Sequence, residues 1–248
     1  GEAEATYSNG ISSFDTDGFT LGSGGAVNDN SYNFVSWNWK AGTSFNNSAG
    51  TNGADIASSG SINTTAGFSI IKATSDSAAD KNIAHGLGVV PEVIFSKNLD
   101  SGYNWDVYFK SLGYNSALRL NTSDVNLSGR WGSSAFTTNT FQTKHDYSSA
   151  NGDEYVYYCF ASKKGYSKIG SYTGNGNADG TFIYLGFKPA FIMVRRTDSA
   201  NNWTMYDNKR NTSFNEITHT LIANSNDAEA TSTSDDDCDF LSNGVKMR

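Results

Sequence analysis

The chain repeats itself. Slid along its own sequence by 98 residues, LGVVPEVIFSKN at 87–98 falls on LGFKPAFIMVRR at 185–196, and DSGYNWDVY at 100–108 falls on DSANNWTMY at 198–206. The match runs without a gap from Gly67 to Tyr108. It lays the only two prolines on each other, Pro91 on Pro189, together with Asp100 on Asp198 and Trp105 on Trp203. The fold is therefore expected to use the same local structure twice.

A third, partial copy lies at the N-terminus. FDTDGFTL (14–21) matches FTTNTFQT (136–143) and FLSNGVKM (240–247), and NFVSWNWKA (33–41) resembles EYVYYCFA (154–161). The matches divide the chain into four stretches. Residues 1–42 carry the closing strands of a preceding or swapped unit, and 43–66 form a polar linker. Residues 67–164 make a complete unit, and 165–248 a second one lacking its last strand. Tyr32–Trp39 is expected to pair with a sheet of this chain or a neighbour, because an unpaired apolar strand invites aggregation.

Within 67–164 the strand candidates are Phe68–Thr74, Val93–Lys97, Asn104–Phe109, Ala117–Asn121, Ala135–Thr143 and Glu154–Ala161. Trp105, Val107 and Phe109 fall on one face and Asp106 and Tyr108 on the other, the period of a strand. Glu154–Ala161 is nearly all apolar, which predicts a central strand. Asp-Ser-Gly at 100–102 supplies hairpin-turn chemistry. No helical period persists beyond about ten residues. Gly, Ser, Thr and Asn make up 107 of the 248 residues, the material of turns between short strands. The expected fold is all-β: tandem antiparallel β-sandwich repeats of about 100 residues, jelly-roll or immunoglobulin-like.

Charge and cysteine content narrow the function classes. A net charge of −7 and a pI near 4.9 leave no basic face for phosphates, so nucleic acid is not an expected partner. No apolar run of about 18 residues exists, so no membrane insertion by a helix is expected, and GEAEATYSNG lacks the regions of a signal peptide. Cys159 and Cys238 have no CxxC spacing; Cys159, inside an apolar strand, is expected to be a buried free thiol.

No constellation announces a reaction or a cofactor. His85, His145 and His219 are scattered, and the 98-residue offset sets Ile183 opposite His85, so a metal site is not expected. FDTDGF at 14–19 has acidic spacing but lacks the remaining calcium ligands, and its copies are not acidic, which makes it a turn. Asp235, Asp236 and Asp237 are expected to form a solvated loop. GxSxG and phosphate-loop patterns are absent, and nothing selects a carboxylate pair. The candidates for a ligand surface are Trp105 and Trp203 as stacking platforms, with Asp100 and Asp198 at the hairpin tips. Core packing of the tryptophans and turn capping by the aspartates compete with that role.

The strings SFDTDGFTLGS, NFVSWNWKAG, HGLGVVPEVIFSKN, DFLSNGVKMR and the long run from Tyr155 through Trp203 resemble an uncharacterised domain repeated in large tail-fibre-like virion proteins of marine bacteriophages. Two departures are Asn38, where related copies are cysteine-like, and the shortened last unit. The resemblance implies an extracellular virion location and other virion subunits as partners, with homo-oligomers expected. It also implies a role in host adsorption through a surface glycan. It brings no catalytic residues, so a non-enzymatic structural protein is the expectation. A polysaccharide-degrading tail enzyme and a decoration without a ligand are the alternatives.

Overall fold

In the computed structural model the described residues are 2–76, 80–144, 152–211, 215–231 and 237–248. They are almost entirely β, with one four-residue helix, α1 (Gly25–Asn28), and one 3-10 turn at Lys110–Leu112. A small hairpin of β1 (Ile11–Phe14) and β2 (Phe19–Leu21) precedes the helix. Asp15 accepts hydrogen bonds from Ser13 and Thr20 across its tip, which makes FDTDGF a turn.

The main sheet has eight antiparallel strands. They are β3 (Thr43–Asn47), β4 (Ser58–Asn63), β5 (Phe68–Thr74), β7 (Val93–Asn98), β8 (Asp106–Phe109), β9 (Ser116–Arg119), β10 (Leu127–Ser128) and β12 (Glu154–Phe160). Their spatial order is β10-β9-β8-β7-β12-β5-β4-β3. The apolar strand β12 is interior, pairing Tyr157 with Ile71 of β5 on one side and with Ser96 of β7 on the other. A two-stranded ladder of β6 (Lys81–Ala84) and β11 (Thr140–Thr143) stands apart from this sheet. Ile71, Ile94, Tyr108 and Tyr157 of the sheet meet Ile83, Trp131 and Phe141 in the largest core.

The stretch 43–66 is not a linker: it supplies β3 and β4, the outer strands of this sheet. Their polarity fits the margin of the sheet, where β3 is the edge strand and β4 stands next to it. Small residues also have a packing reason there. A side chain at Gly60 would run into the backbone carbonyl of Ile70 on β5.

The second half forms two ladders. One has the order β14 (Phe191–Val194), β15 (Thr204–Asp207), β16 (His219–Ile222) and β17 (Ala230–Thr231), the same succession as β7-β8-β9-β10. The other joins β13 (Phe182–Tyr184), β19 (Gly244–Met247) and β18 (Cys238–Leu241). Ile183 faces Val245 as Ile83 faces Phe141, and Gly86 and Gly186 both have positive φ. In this ladder the structural offset is 100, two more than the gapless 98 of the sequence match, so Leu185, not Ile183, stands where His85 does. A second core gathers Tyr206, Ile217, Cys238, Phe240 and Val245.

The layers meet in a β-sandwich-like arrangement. Val93, Val107 and Leu118, on the opposite face of the main sheet from Tyr108 and Tyr157, bury against Trp203, with Met193 and Ala223 packed alongside. Residues 32–39 form no ladder. Instead, the rings of Trp37 and Trp39 lie against Phe191 of β14, and Trp39 also meets Phe160 of β12. Residues 166–172, which match β5 in sequence, are likewise outside any named strand.

Candidate functional site

The two tryptophans singled out by the repeat are held by the same backbone device. Each follows the loop of a hairpin, β7–β8 for Trp105 and β14–β15 for Trp203. The amide of Trp105 donates to Asn121 Oδ1 at 2.9 Å, and that of Trp203 to Asn224 Oδ1 at 2.8 Å. Asn121 and Asn224 then donate to Asn104 and Asn202, each at 2.8 Å. Leu120 and Ala223 return hydrogen bonds to the two tryptophan carbonyls, each at 3.0 Å.

The rings have different surroundings. Trp203 is 2% exposed; its Nε1 donates to the Arg119 carbonyl at 2.6 Å, its ring stacks on Phe109, and the Arg195 guanidinium lies 5.3 Å from the ring centre. Arg195 also donates to the carbonyls of Arg119, Thr122 and Asp124. Trp203 is therefore a strut between the two halves, and the stacking-platform expectation fails for it. Trp105 is half-buried and stacks on Tyr158 of β12 with ring centres 6.1 Å apart and planes 27° apart. Tyr103, in the same loop, is exposed. Tyr158 was invisible as a site residue in the sequence, since it lies in a strand that reads as core throughout.

The aspartates also part company. Asp100 accepts from the amide of Glu154 at 2.6 Å and so pins the β7–β8 loop to the start of β12. Beside it, Asn98 Oδ1 accepts from the amides of Asp100 and Ser101, while its Nδ2 donates to Asp153 and to the Tyr155 hydroxyl. Asp100 is a turn cap on these contacts. Asp198 is exposed and paired with Arg196, whose guanidinium holds its carboxyl below the usual carboxylate range. The structure thus sets Asp100 and Trp105 in one loop and Asp198 and Trp203 in another.

A family model described as a domain of unknown function, DUF7483, matches residues 1–248. The chain belongs to the DUF7483 family. No curated protein and no solved structure matches it. The DUF7483 domain as matched spans both halves, including the hairpin and residues 29–42.

Several other polar groups in this DUF7483 chain have structural partners. His85 is buried; its Nδ1 accepts from the amide of Leu87, which leaves Nε2 to donate to the Thr137 carbonyl. Burial holds this imidazole neutral, down to about 4. His219 sits on β16 beside Asn211, and His145 lies outside the described residues. Burial pushes the thiols of Cys159 and Cys238 to about 12, which leaves both inert at neutral pH; neither is in a disulfide. Asp106 is buried with its Oδ1 unbonded and Arg119 Nε at 3.7 Å. Burial raises its carboxyl to about 6 against the pull of Arg130 and Arg119. A shallow cleft of about 550 Å³ is lined by amides and hydroxyls, among them Asn52, Asn82, Thr137, Asn139 and Gln142. Asp237 is buried, whereas Asp235 and Asp236 lie outside the described residues.

Proposed function

We propose that this chain is a non-enzymatic structural element of a phage virion, part of a tail fibre, appendage or decoration. In this reading it attaches to a host-surface glycan through the Trp105 loop. It is built from two related sandwich units of about 100 residues, and it works extracellularly beside other virion subunits, as homo-oligomers. The observation that carries the ligand assignment is the half-buried Trp105 stacked on Tyr158, with Tyr103 exposed in the same loop. Trp203, at the matching position, is buried, so the partial exposure of Trp105 belongs to its surroundings and not to the repeat. A rigid aromatic face takes the apolar face of a sugar ring, and multivalent display strengthens weak single sites.

The test is a glycan array and whole-cell binding assay with the wild-type chain and Trp105→Ala. The expected result is binding that weakens about tenfold or more in the variant, equivalent to about 1.4 kcal/mol, with unchanged circular dichroism. Equal binding by the two proteins overturns the Trp105 site. No binding by either favours a decoration without a ligand. Release of reducing ends from host polysaccharide points to the depolymerase alternative.

A further inference from the structure

The edge of β14 opposite β15 has no strand beside it among the described residues. In the main sheet the equivalent edge of β7 is covered by β12. An open edge presents a row of unpaired amide and carbonyl groups. Residues 33–39 carry the sequence pattern of β12, NFVSWNW for EYVYYCF, and in the structure they already lie against β14 through their rings.

We infer that residues 33–39 of this chain are the strand that closes the edge of β14, a clasp drawn from the N-terminal segment onto the second half. The register follows from the first half. There Phe160 faces Val93, Cys159 faces Ile94, Tyr158 faces Phe95 and Tyr157 faces Ser96. The 98-residue offset turns those partners into Phe191, Ile192, Met193 and Val194. The match to 33–39 turns the donors into Trp39, Asn38, Trp37 and Ser36. Trp39 therefore faces Phe191 and Asn38 faces Ile192.

Three observations agree with this register. Ring centres of Trp39 and Phe191 are 6.4 Å apart and those of Trp37 and Phe191 5.5 Å apart, distances that facing and diagonal neighbours on one face both allow. Trp37 and Trp39 are two residues apart and so share a face of a strand, the face on which Tyr158 and Phe160 stand in β12. Trp39 also meets Phe160 itself at 5.7 Å, its own counterpart in the other half.

The seat is incomplete as it stands. No backbone hydrogen bond joins residues 32–39 to β14 among the described residues, and the Trp37 indole N–H is buried without an acceptor. A buried unbonded donor is costly. Tyr32, Phe34, Val35 and Trp39 remain exposed. The carbonyl of Lys40 is held by Asn63 Nδ2 at 2.9 Å, which ties the end of the segment to β4 of the main sheet.

The experiment uses the full chain. In hydrogen exchange of the unmodified protein, the alternate amides of 34–39 that point at β14 are expected to exchange on the order of a hundredfold more slowly than in a free coil. Facing residues of an antiparallel pair lie within disulfide reach. Asn38→Cys with Ile192→Cys should therefore oxidise to a monomer with an internal cross-link at dilute protein. Asn38→Cys with Met193→Cys, whose side chains point to opposite faces, should not. Coil-like exchange over 34–39, equal cross-linking of the two pairs, or a cross-link found only between two molecules each overturns the inference. In the last case the donor strand comes from a second copy.

Discussion

The strands β7 and β14 are copies in sequence and opposites in environment. Five of the six residues of β7 are buried, whereas none of the four in β14 is. β7 has β8 on one side and β12 on the other; among the described residues β14 has only β15. Side by side they show that burial is set by neighbours, and a strand's own apolar residues only make it available. The same holds one hairpin further on. Trp203 is a buried strut because the first half lies over it, and Trp105, clamped by the same asparagine pair, stays half-buried. Position by position the second half also substitutes polar chemistry. Asp207, in an ion pair with Arg210 at 2.7 Å, stands where Phe109 does, Thr204 where Asp106 does, and Leu185 where His85 does.

The sharpest way to break this comparison is to truncate both tryptophans. Trp203→Ala should cost about 3–5 kcal/mol, the range for a large buried side chain that leaves a cavity. Trp105→Ala should cost about 1 kcal/mol, since its pocket is open to water. Urea unfolding of the two variants measures this, and equal losses would show that the halves are not differently buried at this position.

Next comes the ion pair that replaces Phe109. Burial alone would raise the Asp207 carboxyl, yet the Arg210 guanidinium and the amides of Lys209 and Arg210 hold it below its ordinary value. Arg210→Ala strands that charge and should cost about 3 kcal/mol. The same unfolding assay tests it, and a loss under half of that would mean water reaches Asp207.

The smallest net effect is in the pH dependence, because two groups of the first half oppose each other. His85 is depressed to about 4 from 6.5, so its contribution to stability is present above pH 6.5 and is lost as pH falls towards 4. Asp106 is raised to about 6 from 3.8, so its contribution is present below pH 3.8 and is lost as pH rises through 6. Each is worth about 3 kcal/mol across its window, with opposite sign. Between pH 4 and 6 they largely cancel. Relative to wild type, His85→Gln should gain stability as pH falls from 6.5 to 4, and Asp106→Asn should gain it as pH rises from 4 to 6. Unfolding series at several pH values check both slopes, and a flat difference for either variant removes that group from the account.

Much of the first half was legible in the sequence. Phe68–Thr74, Val93–Lys97 and Glu154–Ala161 are strands almost to the residue, with Glu154–Ala161 interior, because their apolar content needs cover on both faces. β3, β4 and β6 were not legible. TSFNN, SSGSIN and KNIA have too few apolar residues to show a period, and β3 and β4 are strands because of the sheet beside them. For the candidate site, the repeat pointed to Trp105 and Trp203 together. It had no means of separating them, because their local sequences are similar and their backbone amides and carbonyls are held by matching hydrogen bonds.

The sequence by itself therefore determined the repeat, the β character and the local hairpin devices, since turn chemistry and side-chain alternation act over a few residues. Which copy of each device is buried, which edge is left open beside Trp37 and Trp39, and which tryptophan meets water were decided by how the two halves pack. Those outcomes depend on contacts between residues far apart in the chain, and such contacts leave no local period to read.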